Sequence, residues 1–73
     1  QYSDYEVTCN QSGNVITFTI PTNLPSGVTY FIKVDEQVYQ NTNTVTFTTG
    51  GVYTLSIIFS DGNSNVYTVT VQQ

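Results

Sequence analysis

The chain has 73 residues, a net charge of −4 and a single basic side chain, Lys33. A chain of this length folds as one domain with a small core, so we predict a single domain over residues 1–73. Nucleic-acid binding is excluded because it depends on neutralising phosphates with Lys and Arg, and an anionic membrane surface is excluded for the same reason. Membrane insertion is not expected either, because no apolar run reaches the roughly 18 residues of a membrane span.

Uncharged polar residues take the place of charged ones. Charged residues make up 8% of the chain, whereas ordinary soluble proteins contain about 25%. Because neutral polar side chains keep their hydration at any pH and salt concentration, we expect an extracellular or cell-surface location. The sequence begins with Gln1 rather than Met, which we interpret as the start of a processed mature protein or of a domain cut from a longer one.

The first predicted strand is "YEVTC", in which Tyr5, Val7 and Cys9 alternate and share one face. Cys9 is the only cysteine, so no internal disulfide is possible. We predict that it acts as a small buried hydrophobe, because free cysteines are among the most buried residues; an intermolecular disulfide and a reactive thiol are the alternatives. With no His and a single Lys, little could lower the pKa of its thiol, so we do not expect it to act as a nucleophile.

Five further strands follow in chain order. A predicted turn, "NQSGN", contains an N-glycosylation sequon at Asn10 to Ser12. Inward-facing residues then recur at every second position: Ile16, Phe18 and Ile20; Val28, Tyr30, Ile32 and Val34; Val45 and Phe47; Tyr53, Leu55, Ile57 and Phe59; Tyr67, Val69 and Val71. A short additional strand is predicted at Val38 and Tyr39.

These elements predict an all-β fold. Ala and Met are absent, β-branched and aromatic residues dominate, and Gly-, Pro- and Asn-rich turns separate the strands. Clean alternation is typical of antiparallel sheets with one solvated face, because parallel strands are continuously apolar. We therefore predict an antiparallel two-sheet sandwich of six to seven strands.

The last third of the chain, "GGVYTLSIIFSDGNSNVYTVTV", resembles the closing half of an immunoglobulin-like domain of the polycystic kidney disease (PKD) type. In that family a Gly-x-Tyr opens the penultimate strand, a polar turn follows, and a strand similar to Tyr-Thr-Val-Thr-Val ends the domain. The segment "NVITFTI" is similar to the family's second strand, whereas Ile32 stands near its usual Trp and "DEQ" replaces its Gly-Asp-Gly turn. The resemblance implies that Tyr53 forms a tyrosine corner, with its hydroxyl bonded to backbone and its ring in the core.

The loop "DGNSN" is the one candidate metal site. Asp61, Asn63 and Asn65 alternate as in the first half of a calcium loop. However, Val66 stands where that loop needs Gly, and no bidentate acid follows. We therefore predict a Gly-Asn hairpin turn rather than a metal site, and no cofactor.

A catalytic site is not expected. Asp35 and Glu36 are adjacent, so in a strand their side chains point to opposite faces and cannot work as an acid–base pair. No nucleophile, base or metal set is present elsewhere, and we predict that the protein is not an enzyme.

Contact surfaces offer the remaining functional signal. Phe31 lies on the face opposite Tyr30, and Tyr39 and Tyr2 are expected to be exposed, so glycan binding by these aromatic rings is one hypothesis. The segment "NTNTVTFTT" has no charge and no Pro, so at a sheet edge it would offer a template for another chain.

We therefore expect a structural or interaction module, in a surface protein, an adhesin or a filament, that contacts other protein modules or copies of itself. The predicted contact residues are Phe31, Tyr39, Thr44, Thr46 and Thr48. A carbohydrate-binding accessory module is the alternative.

Overall fold

The computed structural model describes residues 5–72, and Tyr2 lies outside them. The described part of the chain contains seven strands and no helix. The strands are β1 Thr8–Ser12, β2 Val15–Thr19, β3 Tyr30–Val34, β4 Gln37–Tyr39, β5 Thr44–Thr46, β6 Gly51–Phe59 and β7 Ser64–Val71.

The strands form two antiparallel sheets. The smaller sheet has the order β1-β2-β5 and the larger sheet has the order β4-β3-β6-β7. Every neighbouring pair is antiparallel. The predicted all-β, two-sheet sandwich is thus confirmed, with the higher of the two predicted strand numbers.

The core lies between the two sheets. It consists of Ile16, Phe18, Ile32, Val34, Val45, Phe47, Leu55, Ile57, Phe59, Val69 and Val71. Each of these residues belongs to the alternating series read from the sequence, because residues two apart in a strand point to the same face. Among the described residues no polar or charged side chain is buried, so hydrophobic burial is the main stabilising term.

The first hairpin differs from the prediction. β1 starts at Thr8 instead of Tyr5 and continues through most of the predicted turn to Ser12. Only Gly13 and Asn14 remain between the paired residues Ser12 and Val15. Gly13 has a φ of 62°, which suits the first central position of a tight two-residue hairpin turn.

The additional strand predicted at Val38 and Tyr39 exists as β4, which pairs with β3. Asp35 and Glu36 are the two residues of the connecting turn, because Val34 is paired directly with Gln37. Asp35 has a positive φ of 52°, a conformation that Asp tolerates better than most residues.

The last hairpin uses a three-residue loop rather than a Gly-Asn turn. The Phe59 amide donates to the Asn63 carbonyl at 2.8 Å, and the Gly62 amide donates to the Phe59 carbonyl at 3.1 Å. The loop is therefore Ser60 to Gly62, with Gly62 at a φ of 99°. This is the common arrangement of a turn followed by a left-handed residue.

Candidate contact surfaces

Tyr53 ties the start of β6 to the preceding loop. Its hydroxyl donates to the Thr49 carbonyl oxygen at 2.6 Å, and its ring stacks on Phe47 with centroids 4.1 Å apart. This is the geometry of a tyrosine corner, in which one side chain holds a strand start to its own upstream backbone. Its role is structural.

Cys9 is half-buried and packs against the core. Burial raises the pKa of its thiol, so the neutral thiol predominates at neutral pH and the nucleophilic thiolate is scarce. Tyr67 is half-buried nearby, and its hydroxyl donates to the Val7 carbonyl oxygen at 2.7 Å. Burial is the main cause of the raised pKa of Tyr67, and the charge of Cys9 adds to it.

The side chains of the candidate calcium loop bond to the protein itself. One carboxylate oxygen of Asp61 accepts hydrogen bonds from the backbone amide and the side-chain amide of Asn63, each at 3.1 Å. The other oxygen accepts the Tyr5 hydroxyl. Together these bonds lower the pKa of Asp61, with the Tyr5 bond contributing most.

Asn65 is placed differently from the other two loop residues. It pairs with Ile57, whose side chain is in the core, so the Asn65 side chain points toward the inner side of the sheet. Its amide oxygen is buried without a hydrogen-bond partner. Within residues 5–72 no group of three or more His, Cys, Asp or Glu side chains could hold a metal ion.

The outer face of the larger sheet mixes apolar side chains with polar ones. It carries Phe31 and Ile58 side by side, both only half-buried, and three valines that are more exposed: Val38 at 53%, Val52 at 69% and Val66 at 49%. Lys33 lies between Val38 and Ser56 on the same face and is the only charged residue in the four strands. We call this surface the apolar face.

The outer face of the smaller sheet is polar. Its three strands place Thr8, Asn10, Ser12, Val15, Thr17, Thr19, Thr44 and Thr46 outward, and Val15 is the one apolar residue among them. The Asn10 sequon therefore lies in a strand with its side chain exposed, and not in the predicted turn. The two outer faces of the sandwich thus have different chemistry.

The predicted contact residues do not form one surface. Phe31 belongs to the apolar face, whereas Thr44 and Thr46 belong to the opposite, polar face. Tyr39 pairs with Ile32 and is half-buried against the core, so it is less exposed than expected. Alternation in the sequence shows which residues share a strand face, but it does not show which sheet the strand joins.

The strand of "NTNTVTFTT" does lie at a sheet edge, because among the strands of residues 5–72 β5 pairs only with β2. Beside it, a cleft of about 410 Å³ opens between β5 and β4. Its lining includes Thr46, Thr48, Tyr39, Phe47 and Tyr53, and the acidic turn Asp35–Glu36 closes one end. We call this cleft the edge groove. It brings Tyr39 together with two of the predicted threonines, which sequence reasoning could not foresee.

No family model, no curated protein and no solved structure matches the chain. The two-sheet fold is therefore supported by the structure alone, and the PKD resemblance is supported by the sequence motifs alone. In the described part of the chain no helix is long and apolar enough to cross a membrane.

Proposed function

We propose that the protein is a non-catalytic, extracellular structural or interaction module with an immunoglobulin-like fold of the PKD type. Its function is to bind other protein modules or copies of itself. The observation that carries the proposal is the apolar face, on which Phe31 and Ile58 are paired neighbours and Val66 lies diagonal to Ile58, because clustered exposed apolar side chains mark interaction sites.

The pairing of the strands supports the immunoglobulin-like assignment. In immunoglobulin domains the second and fifth strands lie in one sheet while the third, sixth and seventh lie in the other, and β2-β5 and β3-β6-β7 have this arrangement. β4 departs from the constant-type pattern, because it pairs with β3 instead of joining the sheet of β5. The Tyr53 corner adds a second feature of these domains.

Charge placement favours a second copy of the chain as the partner of the apolar face. Lys33, the only basic side chain, projects from this face, and the exposed acidic turn Asp35–Glu36 begins two residues later. In a two-fold contact the same patch meets itself, so Lys33 of one copy would lie near the acidic turn of the other. A surface that carries Lys33 next to the acidic turn is thus complementary in charge to the same surface of a second copy.

The size of the face predicts weak association. With four strands about 4.8 Å apart and on average about six residues long at about 3.4 Å per residue, the face covers about 400 Å². A pair would bury about 800 Å², which is below stable interfaces and in the range of weak, transient ones. In a surface layer or filament, where copies are held close together, such contacts add up.

Analytical ultracentrifugation over about 10 μM to 1 mM tests this proposal. We expect a reversible, concentration-dependent rise in mass, and we expect Val66→Lys to abolish it because the substitution puts an unpaired charge in the contact. Thr19→Lys is the matched control: it makes the same charge change on the polar face and should leave association intact. A strictly monomeric wild-type protein, or equal loss in both variants, would refute the apolar face as a self-contact.

Carbohydrate binding is the second candidate. It is favoured by the half-exposed ring of Phe31 on a flat sheet surface, since sugar rings stack on aromatic faces. A glycan array with the wild-type protein and Phe31→Ala tests it. Binding that disappears with the ring supports this function, and binding to no glycan, or binding that survives the substitution, removes it.

A further inference from the structure

The free edge of β5 presents unpaired backbone toward the edge groove. The Phe47 amide donates to the Asn14 carbonyl at 2.9 Å and the Phe18 amide donates to the Asn43 carbonyl at 2.8 Å. Since hydrogen-bonded pairs alternate along an antiparallel ladder, Asn43, Val45 and Phe47 direct their backbone groups to β2. The backbone groups of the residues between them point away from β2.

The first part of this edge is already capped. The Thr44 amide donates to the Thr42 hydroxyl at 3.2 Å, and that hydroxyl donates to the Thr44 carbonyl at 3.3 Å. Further along, the Thr49 carbonyl accepts the Tyr53 hydroxyl. The Phe47 carbonyl accepts the Asn14 side-chain amide at 2.6 Å, so the amide of Thr48 in the same peptide group points away from β2. The groups left for pairing are therefore the amide and carbonyl of Thr46 and the amide of Thr48, along the edge groove.

The floor of the groove is aromatic. Phe47 points inward just after β5, and Tyr53 stacks on it. Tyr39 lines the groove from β4, and its hydroxyl donates to Gln37 Oε1 at 3.1 Å. A strand added beside β5 would direct every second side chain over this floor, because residues opposite each other in a ladder share a face. Small or medium apolar side chains at those positions would fill the cleft.

One end of the groove is acidic. Asp35 and Glu36 are exposed side chains of the β3–β4 turn and form part of the lining. Together with a net charge of −4, they favour a cationic side chain at that end of an incoming segment.

From these observations we propose that the edge groove binds an extended segment of a different protein, which adds to the smaller sheet as a fourth strand beside β5. The segment carries apolar residues at alternate positions and a Lys or Arg that reaches Asp35 and Glu36. Main-chain bonds to Thr46 and Thr48 supply affinity and the groove supplies specificity, as in other cases of strand addition. This site shares the acidic turn Asp35–Glu36 with the proposed self-contact but none of the apolar side chains of the apolar face.

A second copy of the chain does not fit this role. Its only cation, Lys33, lies in the middle of β3, which is paired on both sides by β4 and β6. No other segment of a copy could place a basic side chain at the acidic turn. The partner is therefore a heterologous, basic, extended segment.

The test is a titration of the ¹⁵N-labelled full chain with a peptide that is blocked at both ends, Lys-Thr-Val-Thr-Val-Thr-Lys, monitored by NMR. Its Lys and Val side chains share one face, and a Lys at each end allows either strand direction. We expect saturable shifts centred on the amides of Thr46 and Thr48. Replacing both peptide Lys by Glu should weaken binding about threefold to tenfold, and replacing the central Thr by Pro should abolish it, because Pro has no amide donor.

Variants of the acidic turn give an independent check, because they leave the sequence of the edge strand β5 unchanged. Asp35→Asn combined with Glu36→Gln should weaken binding of the Lys peptide about threefold to tenfold, while Glu6→Gln, an exposed acid elsewhere in the chain, should leave it unchanged. Shifts that map to the apolar face would overturn the proposal. Equal binding of the Pro peptide, or no saturable shift at all, would overturn it as well.

Discussion

The hydroxyl of Tyr53 makes a structural hydrogen bond that the ring alone could not make. It joins the start of the longest strand to Thr49 at 2.6 Å, four residues upstream, while the ring remains stacked on Phe47. Tyr39 offers a useful contrast, since its hydroxyl donates only to an exposed side chain, that of Gln37. Both tyrosines line the edge groove, but only the Tyr53 hydroxyl bonds to the backbone of another segment.

We predict that Tyr53→Phe lowers the free energy of unfolding by about 1 kcal/mol, the net value of one such hydrogen bond. In a domain of this size that corresponds to about 4–8 °C in the melting temperature. Tyr39→Phe, the control, should change it by much less. Thermal melts followed by circular dichroism measure both, and equal effects in the two variants would argue against a special role for the corner.

Asp61 makes stability depend on pH. Its bonds to Tyr5 and Asn63 lower its pKa in the folded state, so the ionised carboxylate stabilises the fold. This contribution is fully present above the ordinary aspartate pKa of 3.8 and is lost as pH falls through the lower folded value. We predict that the advantage of the wild type over Asp61→Asn, measured by melting temperature, is constant above about pH 5 and shrinks toward pH 2. A difference that stays the same across this range would contradict the assignment.

At the scale of elements, Gly62 determines the geometry of the hairpin between the two longest strands. Its φ of 99° is unfavourable for residues with a side chain. A Cβ at this position would meet nothing within 4 Å, so any cost of substitution comes from the backbone and not from a clash.

We predict that Gly62→Ala lowers the free energy of unfolding by about 1–2 kcal/mol. Gly62→Asn should cost less, because Asn accepts left-handed conformations more readily. Denaturant titrations of the two variants measure the order, and a larger loss with Asn than with Ala would show that the loop does not keep this conformation.

At the scale of the whole molecule, the stability depends on a small core without disulfides. Ile57 is fully buried, with 0% exposure, between the two sheets, and in the larger sheet it pairs with Ile32 and Asn65. Because a 73-residue chain has a total stability of about 4–11 kcal/mol, one cavity in this core is a large fraction of it.

We predict that Ile57→Ala costs about 2–5 kcal/mol and leaves the protein partly unfolded near body temperature. Val52→Ala is the control on the same strand, since Val52 is 69% exposed and its truncation should change stability by less than about 0.5 kcal/mol. Chemical denaturation measures both values. A loss of less than 1 kcal/mol for Ile57→Ala would mean that the core rearranges to fill the space.

The sequence alone was sufficient for the strand class and for the inward side of each strand except β4, where Tyr39 turns toward the core. The alternation of β-branched and aromatic residues identified every buried residue, from Ile16 to Val71, because one buried face of a pleated strand requires period two. The Gly-x-Tyr motif likewise pointed to the bond that Tyr53 makes. The ends of the strands were less predictable. β1 extends to Ser12 because pairing with Val15 satisfies the hydrogen bonds of its backbone, and the polar side chains of "NQS" give no sign of this pairing.

Only the tertiary structure decided how the outward residues are grouped. Phe31 and Thr46 both alternate outward, yet they lie on opposite faces of the molecule because their strands join different sheets. Tyr39, Phe47 and Tyr53 belong to three different segments of the chain but line one groove, since β4 and β5 are both edge strands on the same open side. The two-residue period determines which side of a strand is buried, and this is a local property of the sequence. The order of the strands depends on long-range pairing, which the local pattern does not encode.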